Sequence, residues 1–151
     1  MKASENCLEL IRRFEGFRGT PYKCPAGVPT IGYGSTRYAN GAVVTLQDAP
    51  ITQAQADHIM KATLTEYEDA VRRYAQVPIN QNQFDSLVDF AYNVGAKALL
   101  KSTLLRKLNA GDTTGASAEF AKWVKGGGVT LPGLVTRREA ERVLFVKPMA
   151  V

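Results

Sequence analysis

The chain has 151 residues, 45% of them hydrophobic and 22% charged, with a formal net charge of +5 and two cysteines. That length suits one domain or two small lobes sharing a core, and the balance is that of a globular chain rather than a disordered one. No apolar run approaches the ~20 residues needed to span a bilayer, the N-terminal "MKASENCLEL" lacks the apolar stretch of a secretory signal, and two cysteines with one histidine give neither a disulfide scaffold nor a zinc pattern.

Cys7, Leu10, Ile11 and Phe14 recur at helical spacing, which predicts an amphipathic helix over about 4–14, with Ser4 as N-cap and Gly16 as the left-handed stop. Cys7 falls on the apolar stripe and reads as a small core residue. From Thr20 to Leu46 the period shortens: "TPYK", "VPTIGYG" and "AVVTL" predict a small antiparallel sheet, and Asn40-Gly41 predicts a type I′ hairpin turn. Thr52 and Gln55 form a capping box for a long helix whose apolar stripe is Met60, Leu64, Tyr67, Val71 and Tyr74. About 25 residues would span roughly 37 Å, long enough to bridge two lobes. His58 lies in this helix and reads as structural.

The rest is predicted helical. A helix opens at Asn80–Gln83 and ends at Gly95; another opens at Ser102 and stops at Gly111. "TTGASAEFAKWV" turns Phe120, Trp123 and Val124 inward. "KGGGVTLPGL" is a glycine-rich loop without phosphate-cradle spacing, and Thr136 with Glu139 caps a final helix.

One stretch, "EGFRGTPYKCPAGVPTIGYG" (15–34), carries candidate chemistry. Cleaving a glycosidic bond needs an acid on the leaving oxygen and, in the usual hydrolysis, a second group that activates water or attacks the sugar. Glu15 at a helix end, with Cys24 and Thr30 on the sheet, could supply acid, second group and water-positioning hydroxyl. The segment resembles the catalytic signature of the bacteriophage-type lysozymes, glycoside hydrolase family 24: Glu, eight residues, Asp, five residues, Thr. Glu15, Cys24 and Thr30 fall on those positions. "QNQFDSLVDFAYNVG", "STLLRKLNAGD" and the segment from Trp123 through "GLVTRREAERVLF" resemble later parts of the family in order and spacing.

The resemblance implies an α+β fold with a sheet-bearing lobe (about 15–50), a connecting helix (about 52–76) and a helical lobe (about 80–151) joined by helix 4–14, with a cleft between the lobes. It implies Glu15 as general acid, Thr30 holding water, and Arg137 or Arg138 approaching the acid. Tyr22 and Tyr33 are expected to shape the sheet. Two departures stand out: Cys24 occupies the usual Asp position, as in a subset of phage endolysins, and Ser35 stands where many members have His. An ordinary thiol has pKa ~8.5 and is only a few per cent thiolate at neutral pH; Lys23 is expected to lower that value and Glu15 to raise it. As thiolate, Cys24 would serve as base to water or as nucleophile, the water route being favoured.

The implied activity is that of a phage endolysin hydrolysing the β-1,4 bond between N-acetylmuramic acid and N-acetylglucosamine in peptidoglycan. No cofactor or metal is expected. Positive charge suits the anionic wall, whereas arginine pairs at 12–13, 72–73 and 137–138 are too scattered for a nucleic-acid groove. A monomer is expected, without stable membrane insertion, held in the host cytoplasm until released to the periplasm. A lytic transglycosylase, which needs only the acid and leaves anhydro-muramic ends, is the alternative; a non-catalytic wall-binding module is a further one.

Overall fold

The structure, a computed structural model, describes residues 1–149, so the last two residues of the expected 80–151 lobe lie outside it. The chain runs α1 (Glu5–Glu15), β1 (Arg18–Lys23), β2 (Pro29–Gly32), α2 (Gln53–Tyr74), α3 (Gln81–Val94), α4 (Ala96–Lys101), α5 (Thr103–Asn109), α6 (Thr113–Glu119), a 3₁₀ turn (Phe120–Lys122), β3 (Lys125–Gly126), β4 (Val129–Thr130) and α7 (Pro132–Val146). This is the expected α+β fold. It divides into two compact units: Ile11–Glu66, and Met1–Leu10 together with the chain from Tyr67 onward.

In the Ile11–Glu66 unit, β1 and β2 pair antiparallel with Tyr22 opposite Thr30. The sheet is smaller than predicted, because "AVVTL" contributes only an isolated bridge between Arg37 and Val43. The Asn40-Gly41 turn also differs. Gly41 alone has positive φ (+86°), Gly41 N–H bonds Tyr38 O at 2.9 Å and Tyr38 N–H bonds Ala42 O at 2.9 Å. A type I turn followed by a left-handed glycine produces this pattern, and Asn40 Oδ1 secures it by accepting from Ala42 N–H. Ile11, Ile31, Val44, Ala56, Met60 and Leu64 form the buried centre. The capping box at the start of α2 is present: Gln55 N–H donates to Thr52 Oγ1, and Thr52 N–H to Gln55 Oε1.

In the other unit α3 packs on α7, and Phe84, Leu87, Val88, Phe90 and Ala91 of α3 are buried with Leu144 and Phe145 of α7. Phe90 meets Phe120 and Trp123 edge-on at 5.6 and 5.3 Å between centroids. Asn80 and Gln83 form a reciprocal capping box. Gly95 ends α3 as predicted, but it also starts α4, a helix the sequence pattern did not separate. The glycine-rich loop is a short hairpin, β3 with β4, turned by Gly127 and Gly128 at positive φ. α7 begins at Pro132 and not at a Thr136–Glu139 cap: proline suits the first helical turn, and Thr136 Oγ1 bonds Pro132 O from inside the helix. Ser4 precedes α1, but its hydroxyl donates to Asp85 Oδ2.

Charged side chains are buried inside this unit. Arg137 forks onto Asp89 at 3.1 and 2.8 Å, while Arg138 bonds Asn93, pairs with Glu141 at 2.9 Å and lies 5.1 Å from the Phe90 centroid. Burial above all, then the hydrogen bond and charge of Asp89, push the Glu141 carboxyl well above the usual carboxylate range, with the two guanidiniums pulling it down. A raised folded pKa means that this group's stabilising contribution is complete below its unfolded value and is lost as pH rises through the folded one. Glu141→Gln is therefore expected to flatten the fall in stability above about pH 4, measured by urea unfolding across pH.

Candidate active site

Glu15 closes α1. Gly16 stops the helix there with φ +70°, its N–H bonding Arg12 O at 3.1 Å. One turn earlier, Arg12 forks onto Asp57 of α2 at 2.9 and 3.0 Å, which sets the rotation of the last turn of α1. Gly34, at φ +79°, leaves room for the acid: a Cβ there would stand 2.8 Å from Glu15 Oε1. Gly34→Ala therefore strains the backbone and displaces the carboxyl together. It is expected to cost about 1–2 kcal/mol of stability and to lower the lytic rate further than that loss explains, checked by denaturation alongside a sacculus-clearing assay.

Cys24 and Thr30 flank the turn from β1 to β2. Cys24 N–H bonds Val28 O at 3.0 Å, Gly27 N–H bonds Cys24 O at 2.8 Å, and Gly27 takes φ +78°. Backbone hydrogen bonding from Val28 is the largest cause holding the thiol below its ordinary pKa; desolvation opposes it, and Ala26 and the Thr30 hydroxyl add smaller help. The expected source was Lys23; the backbone supplies the effect instead. Thr30 is 2% exposed, and its Oγ1 donates to Val28 O at 2.8 Å. The Thr30 hydroxyl thus has Val28 O as its acceptor and lies beside the Cys24 thiol.

The chain's other thiol, Cys7, is fully buried, and burial foremost, then Asp89, Asp85 and Glu68, push it far up. In the native protein iodoacetamide is expected to alkylate half-exposed Cys24 with a pH midpoint below the ~8.5 of an ordinary thiol and to spare Cys7. Mass mapping of the labelled peptides across pH reads both. Any step that needs the thiolate runs above that lowered pKa and fades as pH falls through it.

Tyr22, expected to shape the sheet, does lie in β1. It lies opposite Thr30 in the β1–β2 register, half-buried, with the Arg18 guanidinium 4.1 Å from its ring centroid. Its phenol is pushed up by desolvation and then by the charge of Glu15; Arg18 pulls it down, and Cys24 raises it slightly. One phenol thus lies within electrostatic range of both Glu15 and Cys24. Tyr33, by contrast, is buried with its ring 5.9 Å from that of Phe17, in keeping with a packing role.

Arg137 and Arg138 are almost wholly buried in the helical unit, in the network around Asp89, Asn93 and Glu141. Ser35 is buried and exchanges backbone hydrogen bonds with Ile31 at 2.8 and 2.9 Å. His58 is exposed and lines a cavity of about 620 Å³ with Tyr38, Asn40, Ile51 and Gln55; that cavity includes none of Glu15, Cys24 and Thr30. Among the described residues no group of three or more His, Cys, Asp or Glu is placed to hold a metal ion, and no helix is long and apolar enough to cross a membrane.

The chain as a whole is similar to known proteins. The family model described as phage lysozyme matches residues 12–141. An endolysin of Acyrthosiphon pisum secondary endosymbiont phage 1 is 43% identical, over 96% of this chain and 98% of its own length. The endolysin of Bacillus phage B103 is 42% identical over 97% of this chain, which spans only 54% of that longer relative. Among solved structures, the endolysin from Escherichia coli O157:H7 phage FAHEc1 superposes with a TM-score of 0.88 at 35% identity, covering 97% of this chain and 94% of that one. The chain belongs to the phage lysozyme family and is a glycoside hydrolase of the endolysin kind.

Proposed function

We propose that this enzyme hydrolyses the β-1,4 bond between N-acetylmuramic acid and N-acetylglucosamine in peptidoglycan, with Glu15 as general acid, Cys24 as base and Thr30 holding the water. Glu15 donates its proton to the glycosidic oxygen as the bond to the leaving sugar breaks. The Cys24 thiolate takes a proton from water as that water's oxygen attacks the anomeric carbon. The observation that carries this reading is the placement of half-exposed Cys24 and buried Thr30 on the two sides of the β1–β2 turn, in the same compact unit as Glu15, with backbone hydrogen bonding holding the thiol's pKa down. A thiol kept as an inert core residue would need no such stabilisation. The enzyme acts as a monomer on glycan strands, with no nucleic-acid partner and no stable insertion in a membrane, and it stays in the host cytoplasm until it is released to the wall.

Mass spectrometry of muropeptides released from purified sacculi by the reduced protein tests the reaction. Muramic acid at the reducing end, one water heavier than its anhydro form, is the expected product. Anhydro-muramic ends would replace hydrolysis with transglycosylation and leave Cys24 without its assigned role.

A further inference from the structure

The helical unit contains a second, chemically distinct cavity. It encloses about 320 Å³ and is lined by Arg73, Tyr74 and Gln76 at the end of α2 and by Leu100, Lys101, Ser102, Leu105, Arg106 and Asn109 of α4 and α5. Three of these residues are cationic and none is acidic. The neighbours of two of them show how unusual that is. Arg72, next to Arg73, pairs with Asp69, and Lys107, next to Arg106, pairs with Glu119 at 3.2 Å. Among the described residues Arg73 has only the Tyr74 ring, 5.9 Å away, and Arg106 only the Thr103 hydroxyl at 3.1 Å. Three cations gathered on one small cavity repel each other, and an anion seated among them relieves that repulsion.

The cavity is also built firmly. Asn109 ties α5 to the end of α2, donating from Nδ2 to Tyr74 O at 3.0 Å and accepting from Gln76 N–H at 2.8 Å. Ser102 Oγ is held by Leu99 O and Leu105 N–H. Guanidinium forks suit tetrahedral oxyanions, and phosphate takes two such forks more readily than a single carboxylate does. Leu105 in the floor and half-exposed Leu100 offer an apolar wall for a carbon chain. One exposed leucine is too little to enter a lipid bilayer, so the apolar wall fits the polyol or sugar of a polymer.

We propose that this cavity binds the phosphodiester of an anionic cell-envelope glycopolymer and keeps the enzyme on the wall between cuts. The proposal rests on the wall-hydrolase reading for its purpose, but binding can be measured without catalysis. The probe is short polyglycerol phosphate, titrated at fixed ionic strength and followed by amide NMR shifts. Arg73→Gln/Arg106→Gln is expected to weaken binding by about tenfold or more. Lys97→Gln/Lys147→Gln, which removes the same charge from exposed positions outside the cavity, is expected to leave it unchanged. On sacculi carrying phosphate polymer the cavity variant should lyse more slowly than the parent, and on sacculi stripped of phosphodiesters by hydrofluoric acid the two should match.

Equal weakening in both double variants would reduce the effect to overall charge and overturn the site. Equal rates of parent and cavity variant on both wall preparations would overturn its role. Capture by phosphatidylglycerol vesicles through the same arginines, without polymer binding, would overturn the choice of ligand. If the parent released no muropeptides from either preparation, the hydrolase reading would fail instead, and the polyglycerol phosphate titration would still decide the cavity.

Discussion

Glu15→Gln is expected to lower the rate of muropeptide release by about 10³-fold, the loss typical of removing a general acid. The amide keeps the shape of the side chain, so its fit against the Gly34 backbone survives, as does the Arg12–Asp57 fork that orients the helix end. The variant should therefore unfold at nearly the parent's denaturant midpoint and still bind sacculi. Rate and stability measured on one preparation separate the two effects. A variant retaining a tenth of the parent rate with its fold intact would remove Glu15 from the chemistry.

Asp89→Ala is the other large change, and it acts on the fold. Asp89 is fully buried and takes both forks of Arg137, itself 3% exposed. Removing it takes the forked partner from a buried guanidinium and leaves the more distant Glu141 carboxyl, 3.8 Å away, and breaking such a pair from one side costs up to about 3–5 kcal/mol. Set against the ~5–15 kcal/mol that hold a whole domain together, that brings the variant close to unfolding at ambient temperature. Urea titration should show a midpoint shifted far down. The double replacement Asp89→Leu/Arg137→Met, which leaves no orphaned charge, is expected to recover much of the loss. If Asp89→Ala and the double variant were equally unstable, the damage would come from packing and not from the stranded charge.

The helices were legible because their signals are local. Cys7 and Ile11 mark the buried stripe of α1, the Thr52–Gln55 and Asn80–Gln83 boxes fix two helix starts, and Gly95 and Gly111 fall at positive φ where stops were read. The start of α7 was misplaced because Thr136 and Glu139 imitate a capping box, while Pro132 can open a helix with no side-chain cap. Burial of charge was not legible at all. Of the Arg137–Arg138 pair one was expected to approach the acid, and no local pattern tells that α3 packing on α7 brings Asp89, more than forty positions earlier, beside Arg137. The candidate site divides the same way. Resemblance to the family's catalytic signature nominates Glu15, Cys24 and Thr30. The influence of Glu15 and Cys24 on Tyr22 depends on where the end of α1 comes to lie against β1, which no local pattern encodes.

The turn at Cys24 has a practical consequence. A hydrogen bond from the Val28 amide acts at contact distance, well inside the ~8–10 Å over which dissolved ions blunt attraction between surface charges. The sulfur's acidity thus belongs to the path of the main chain and not to the surrounding lysines and arginines. The alkylation midpoint of Cys24 is therefore expected to stay in place from dilute buffer to brine, and to stay there when exposed lysines are replaced.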